Sequence, residues 1–231
     1  MDTAVVTGGS RGIGRAVTAR FAEEGVHVVT CARDRDGLES VAAEIEAEGG
    51  TVTTVRADVR DEFDVERLME TAARAGASSG IDCVIANAGV YHGTPRETPL
   101  AESSYSAFDD TFQTNVRGVF TTVREASPHL TPSARVVVPS GRIARDATAG
   151  YGCYAVSKAA AEALARQFAV ESEQCIGVLD LGQVETELTD YANGRTPAEI
   201  APMFWWAATE ADAETLDGTV VGLREWKQAA E

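Results

Sequence analysis

The chain opens with a pattern that few folds can satisfy: a short apolar run, a glycine turn, then a helix. Thr3-Ala4-Val5-Val6-Thr7 is the run and Gly8-Gly9-Ser10-Arg11-Gly12-Ile13-Gly14 is the turn. Ala16, Val17, Ala19, Phe21 and Ala22 then recur at helical spacing. Glycines let the backbone bend sharply and come close to a pyrophosphate. The helix start offers unpaired N–H groups and a partial positive charge to that anion. A turn of this kind also serves as a plain strand-to-helix connection. Its place at the first strand of an α/β pattern favours the phosphate-binding reading.

The rest of the chain repeats the alternation. Patterning predicts strands near 3–7, 26–31, 51–56, 81–86, 134–139, 175–181 and 219–222, and helices near 12–24, 36–48, 62–76, 105–127, 152–171 and 197–208. Alternating strands and helices imply parallel pairing through right-handed crossovers. The expected fold is α/β: a single doubly wound parallel sheet of about seven strands flanked by helices, with ligands at the carboxyl ends of the strands. No linker, repeat or low-complexity segment divides the 231 residues, so one domain over 1–231 is expected.

A second feature carries chemistry. Tyr154 and Lys158 stand one helical turn apart in Tyr151-Gly152-Cys153-Tyr154-Ala155-Val156-Ser157-Lys158-Ala159, so phenol and ammonium share a face. A free tyrosine has a pKa of about 10 and shuttles protons poorly at neutral pH. A neighbouring cation favours the phenolate, which suits a general acid/base for a carbonyl or hydroxyl group.

Composition narrows the partners. A net charge of −16 disfavours nucleic acid and anionic membranes. No apolar stretch reaches the roughly 18 residues of a membrane span. The first strand follows Met1-Asp2 directly, which leaves no room for a signal peptide, so a cytoplasmic location is the default expectation. Cys31, Cys83, Cys153 and Cys175 show no metal-ligand spacing, and no metal is expected. Lys158 and Lys227 are the only lysines, the remaining basic residues being arginines. A strongly acidic, lysine-poor chain fits a protein of high-salt cytoplasm. A lysine kept at position 158 fits a role that needs a compact point charge rather than a planar fork.

Taken in order, these and further motifs resemble the short-chain dehydrogenase/reductase family, from Thr3 to about Thr186. Thr7-Gly8-Gly9-Ser10-Arg11-Gly12-Ile13-Gly14 is similar to its Thr-Gly-x-x-x-Gly-x-Gly fingerprint. Asp58-Val59 resembles the element that meets the adenine ring, and Asn87-Ala88-Gly89 the one that stabilises the sheet and flanks the cofactor. Asn115, Ser140, Tyr154 and Lys158 match the catalytic set in family order. Gly182, Val184 and Thr186 match most of the element at the nicotinamide end, with Leu181 where a proline is usual. The resemblance implies a Rossmann fold and hydride transfer between a nicotinamide cofactor and a small-molecule carbonyl or secondary alcohol. Tyr154 would move the proton, Lys158 would lower the Tyr154 pKa and bind ribose, and Ser140 would hydrogen-bond the substrate oxygen. Asn115 would hold a water leading to solvent. A homodimer or homotetramer is the implied assembly. A non-catalytic dinucleotide-binding redox sensor is the alternative.

Cofactor choice rests on the end of the second strand. An NAD site commonly places an acid there for the ribose 2′-OH. That position is read as Ala32, followed by Arg33, with Arg11 in the glycine loop. Two guanidinium groups suit a 2′-phosphate, so NADP is expected and NAD is the alternative; Asp34 would supply an acid if the alignment of the strand end were shifted. Tyr91, His92, Ile143, Tyr151, Leu188 and Tyr191 are candidates for the substrate pocket; Arg142 and Arg145 could meet an acidic substrate, although a solvated loop is the preferred reading of both. The substrate itself stays open.

Overall fold

In a computed structural model the chain is described at every residue except Ser78, Ala192, Ala230 and Glu231. Among the described residues, seven strands form one sheet: β1 (Thr3–Thr7), β2 (His27–Ala32), β3 (Val52–Arg56), β4 (Ile81–Ile85), β5 (Leu130–Ser140), β6 (Cys175–Asp180) and β7 (Val220–Gly222). Their order is β3-β2-β1-β4-β5-β6-β7 and every pairing is parallel. The helices are α1 (Gly12–Glu23), α2 (Arg35–Ala47), α3 (Glu62–Ala73), α4 (Tyr105–Phe112), α5 (Gly118–Ala126), α6 (Gly152–Glu171), α7 (Pro197–Thr209), α8 (Ala213–Leu216) and α9 (Leu223–Ala229). This is the doubly wound, Rossmann-like sheet the alternation implied.

Parallel strands bury both faces, and period-two alternation divides their side chains between two cores. Ala4 and Val6 pack with Val17 and Phe21 of α1 and with Phe204 of α7. Val5 points the other way, toward Leu68 of α3, Val123 of α5 and Ala165 of α6. Phe21 and Trp205 meet edge to face with ring centroids 5.3 Å apart, a favoured aromatic geometry.

Three local features depart from the periodicity. The helix expected over 105–127 is interrupted at Gln113–Arg117 by one π-helical turn between α4 and α5. Such a turn adds a residue and rotates the helix beyond it; here Asn115 is carried inward to 2% exposure. The strand β5 starts at Leu130, ahead of Pro132, because its register against β4 shifts between Ile81 and Cys83. The short helices α8 and α9 flank β7 and escape a pattern search, being only 4 and 7 residues long. Among the described residues no helix is long and apolar enough to cross a membrane.

Candidate active site

The sheet order reverses between β1 and β4, and a crevice opens there at the carboxyl ends of the strands. It is a cleft of about 880 Å³. Its floor is the glycine turn. Gly8 and Gly9 donate their N–H groups to Cys31 O at 2.8 and 3.0 Å, which folds the turn over the end of β2. Gly8 and Gly12 have φ of +73° and +54°, where side chains other than glycine are strained. A Cβ on Gly14 would lie 2.1 Å from Gly8 O, so glycine there is what lets α1 sit down on the turn. Asn87 Nδ2 donates to Thr7 O at 2.9 Å, and Ala88 N donates to Thr7 Oγ1 at 3.0 Å. The helix α1 begins at the cleft with no side-chain cap and no acid in its first turn. By contrast α2 is capped by Asp34, α3 by Asp61, α4 by Ser104 and α7 by Thr196.

Most of the residues singled out by sequence meet in this one cleft. Its wall contains Gly8, Ser10, Arg11, Gly12, Ile13, Arg33, Asp58, Val59, Asn87, Ala88, Gly89, Ser140, Tyr154, Lys158, Gly182, Val184 and Thr186. Gly14 stays outside and acts through packing. Asn115 lies behind the wall: its Oδ1 accepts from Val90 N at 2.8 Å, and its Nδ2 donates to Val90 O at 2.9 Å and to Ser157 Oγ at 3.0 Å. The Asn115 side chain therefore fixes the backbone beside Gly89 instead of reaching the cleft.

At one end of the cleft, β2 finishes at Ala32 and Arg33 stands exposed at the rim. Arg33 has no side-chain hydrogen bond or ion pair among the described residues. Asp34 is accounted for as the cap of α2, accepting from Gly37 N at 3.2 Å. The Asp58 carboxylate is gripped by Arg60, whose Nη2 lies 2.6 Å from Oδ2 and holds that carboxyl below its usual range. Arg11 turns away from this group, pairing with Glu187 at 2.6 Å. Two free guanidinium groups side by side are therefore not what the loop presents; Arg33 is the free one and Arg11 the paired one.

At the other end stand the groups that could move a proton. Tyr154 and Lys158 come from the first turns of α6, with Nζ 5.8 Å from the Tyr154 ring centroid. Lys158 Nζ donates to Pro139 O at 3.0 Å. Pro139 fits inside β5 because the β4 ladder has ended at Val137, so the strand loses no partner on that side. Burial lowers the Lys158 pKa from 10.5 to about 8, opposed by the Glu162 charge. Burial also raises the Tyr154 phenol well above its ordinary range, reinforced by Tyr91 and Tyr151. In this arrangement the ammonium faces a backbone carbonyl, and desolvation dominates the phenol. The Tyr91 ring packs on Tyr154 at 4.8 Å, and its hydroxyl donates to Gly150 O at 3.2 Å.

Ser140 ends β5, as expected, but its hydroxyl donates to Glu162 Oε1 at 2.6 Å. Arg145 turns inward to the same Glu162 oxygen and to Asp180 Oδ2, so it is neither a solvated loop residue nor free to meet an acidic substrate. Arg142 is neutralised by Asp146 at 2.8 Å. Tyr91, Ile143, Tyr151 and Leu188 line the cleft. His92 instead bonds Asp110 at 2.7 Å, and Tyr191 is 60% exposed outside the cleft wall. Glu162 belongs to none of the motifs singled out by sequence, although it follows Lys158 by four residues and so shares the face of Tyr154 and Lys158.

Comparison with known proteins places these features in context. Residues 2–196 match the family described as short chain dehydrogenase. The chain is 30% identical to NADPH-dependent aldehyde reductase 2, chloroplastic, of Arabidopsis thaliana over 94% of its own length and 90% of the relative. It is 35% identical to the short chain dehydrogenase/reductase AacuN of Aspergillus aculeatus over 73% of its length, spanning only 62% of that protein. Among solved structures, an alcohol dehydrogenase from the archaeon Thermococcus sibiricus complexed with 5-hydroxy-NADP superposes with a TM-score of 0.84 at 27% identity, covering 96% of each chain. A Burkholderia cenocepacia short chain dehydrogenase in complex with NADP does so with a TM-score of 0.83 at 26% identity, covering 96% of this chain and 95% of the other.

The lowered Lys158 pKa has a consequence for stability. The unfolded lysine holds its proton up to about 10.5, whereas the folded one releases it near 8. Between these values the unfolded state binds more protons, so stability rises with pH, and the cost of the buried cation is fully present below 8. Lys158→Met should therefore raise the melting temperature at pH 7. The gain should shrink as pH climbs from about 8 toward 10.5, read by thermal unfolding across that window. A gain that does not vary with pH would show that side-chain packing, not charge, is responsible.

Proposed function

The chain belongs to the short-chain dehydrogenase/reductase family and is an oxidoreductase of that family; within it, we propose that this single domain reduces a small-molecule carbonyl compound to an alcohol with NADPH. One observation carries the reading: the glycine turn beneath an uncapped α1 and the side chains of Ser140, Tyr154 and Lys158 line the same cleft.

The residues fit a dinucleotide. Where Gly14 lacks a side chain, the turn closes tightly under the start of α1, leaving N–H groups and the positive end of the helix for a pyrophosphate. Gly8, Ser10, Arg11, Gly12 and Ile13 would hold that part, with Gly14 setting the turn. Asp58 and Val59 would hold the adenine, and Arg33 the 2′-phosphate. Asn87, Ala88, Gly89, Tyr154, Lys158, Gly182, Val184 and Thr186 would hold the nicotinamide half. When bound, the cofactor supplies the hydride, so that carbonyl, NADPH and one proton become alcohol and NADP.

Tyr154 gives its phenolic proton to the substrate oxygen. In the reductive direction a phenol serves as the general acid. Lys158 places a positive charge behind the phenol and supports the phenolate left after transfer. Asn115 acts by holding the Val90 backbone in place. Solvent then returns the proton. NADPH-dependent aldehyde reductases among the relatives support this reading. The family resemblance supports a homodimer or homotetramer working in the cytoplasm, and the charge of −16 supports a high-salt setting.

Tyr154→Phe should lower kcat by about 10²–10⁴, the usual worth of a general acid, while leaving NADP affinity nearly intact. Unchanged turnover would remove Tyr154 from the chemistry; full activity loss together with loss of NADP binding would point to folding instead.

Arg33→Ala should weaken NADP by about one to two powers of ten, the loss of a charge-assisted hydrogen bond to phosphate, and leave NAD nearly unaffected. Adding Ala32→Asp should reverse the preference by supplying a ribose acceptor that repels a phosphate. Binding titrations at fixed salt check both, because screening weakens the exposed part of the contact. Equal weakening of both cofactors would displace Arg33 from the 2′ position.

If the acidic surface is matched to high salt, the melting temperature should climb steeply from dilute buffer to molar salt. Screening length falls from about 10 Å at 0.1 M to about 3 Å at 1 M, relieving repulsion among carboxylates. A flat melting curve with full activity in dilute buffer would mark an ordinary acidic protein.

A further inference from the structure

The charges that line the cleft can be followed one by one. Each of its carboxylates has a partner: Asp34 caps α2, Asp58 is held by Arg60, Asp146 by Arg142 and Glu187 by Arg11. These pairs also commit Arg11 and Arg142, and Lys158 donates to a backbone carbonyl. Two guanidinium groups on the wall have no side-chain hydrogen bond or ion pair among the described residues, Arg33 and Arg96. Arg33 stands at the end where a 2′-phosphate would meet it. Arg96 has no such use, and no sequence motif singled it out.

Arg96 belongs to the Tyr154 end of the cleft. Tyr91 packs on the Tyr154 ring at 4.8 Å and donates to Gly150 O at 3.2 Å. Thr98 N donates to the same oxygen at 3.1 Å, and Thr98 forms a bridge with Tyr151, which leads into α6. A Cβ on Gly150 would collide with the Arg96 backbone, so the loop after β4 is seated against the segment that enters the helix of Tyr154. The backbone at this point is strained. Glu97 N donates to Thr94 O at 3.0 Å, closing a turn with Pro95 second and Arg96 third. Arg96 has a φ of +71°, as in a type II turn, where the third residue is ordinarily glycine. A side chain kept where glycine is preferred costs stability, and residues held in this way concentrate at ligand sites.

We propose that Arg96 is a specificity-determining residue: the carbonyl compound reduced in this cleft carries a carboxylate that pairs with the Arg96 guanidinium. This rests on the site assignment proposed above and names its substrate class, an oxo acid. The guanidinium fork matches a planar carboxylate through two parallel hydrogen bonds. One unpaired cation balances the single charge of a carboxylate better than the nearly double charge of a phosphate. Val90, Ile143, Leu188 and the Tyr91 ring share the wall with Arg96. The one proton of the Tyr91 hydroxyl is committed to backbone carbonyl oxygens. The spacer between the carbonyl and the carboxylate is therefore apolar, a hydrocarbon chain or an aryl ring.

Substrate pairs that differ only in charge test the proposal. These are para-carboxybenzaldehyde against its methyl ester, and linear ω-oxo acids of increasing length against theirs. Each is reduced with NADPH at one low ionic strength, because salt screens an exposed pair. The best acid should exceed its ester in kcat/KM by about tenfold, the low end for a charge-assisted hydrogen bond because Arg96 is exposed. Arg96→Gly removes the guanidinium and suits the positive φ. In that variant the ratio of acid to ester should fall to within about twofold of unity, with the loss appearing in the KM of the acid. Thermal melting checks that it folds; if it does not, Arg96→Asn, which also tolerates positive φ, takes its place. Esters reduced as well as acids by the wild type, or an acid preference that survives the loss of Arg96, would overturn the proposal. Faster reduction of para-formylphenyl phosphate than of para-carboxybenzaldehyde would overturn it too, by making the anion a phosphate. A wild type that reduces no carbonyl of the set, charged or neutral, overturns the site assignment and this inference together; turnover without a preference for acids overturns this inference alone.

Discussion

The seam between β1 and β4 is the contact on which the cleft depends. Here the chain has wound one way through β2 and β3 and must start again on the other side. The two strands pair only from Ala4 to Val6, so beyond them something else must hold the ends. Asn87 does it by donating to Thr7 O, and Ala88 by donating to Thr7 Oγ1. A Cβ on Gly14 would also come within 2.6 Å of Asn87 Nδ2, so the same small volume fixes the strand ends and the start of α1. Any side chain at Gly14 would push α1 off the turn and disturb the Asn87 bond together. The geometry of the glycine turn and the sheet's switch point are thus one packing problem.

On the other half of the sheet the equivalent work is done by charge. Arg145, Glu162 and Asp180 come from the turn after β5, from α6 and from the end of β6. A buried ion pair is weak evidence for stability, because desolvation offsets most of the attraction. Its retention makes better sense as registration of three segments whose relative placement sets Ser140, Lys158 and Gly182. Exposed pairs such as Arg35–Glu39, with side chains 76% and 62% exposed, contribute little by comparison. They belong to solvation of an acidic surface.

The share of this molecule that is legible in its sequence is set by what periodicity encodes. The strands were legible to within a residue or two, apart from the early start of β5, because each is an apolar run ended by a turn residue. The glycine turn was legible because position and residue type suffice. The π-helical turn at Gln113–Arg117 was not, since adding one residue leaves the apolar pattern of a helix nearly unchanged. The direction of Arg145 was also out of reach: its two acids lie 17 and 35 residues away, brought close only by the crossover. Glu162 was within reach. Tyr154, Lys158 and Glu162 are spaced four apart, and an acid on the face that carries this tyrosine–lysine pair is not an ordinary surface acid.

The distribution of acids along the fold resolves a tension in its charge. A chain of net charge −16 is an unfavourable partner for a cofactor that is itself polyanionic. The repulsion is met locally. Asp36 sits in the first turn of α2, and Glu62 and Asp64 in that of α3, where they complement the helix dipoles. The first turn of α1 has no acid and its start has no hydroxyl or carboxylate cap, so the N–H groups facing the cleft keep their positive potential. At the rim Arg33 remains unpaired among the described residues, while Asp58 is committed to Arg60 and Asp34 to the cap of α2. These carboxylates at the rim are therefore committed to protein partners. Short-range hydrogen-bond donors at fixed positions outweigh a diffuse charge that salt screens within about 10 Å.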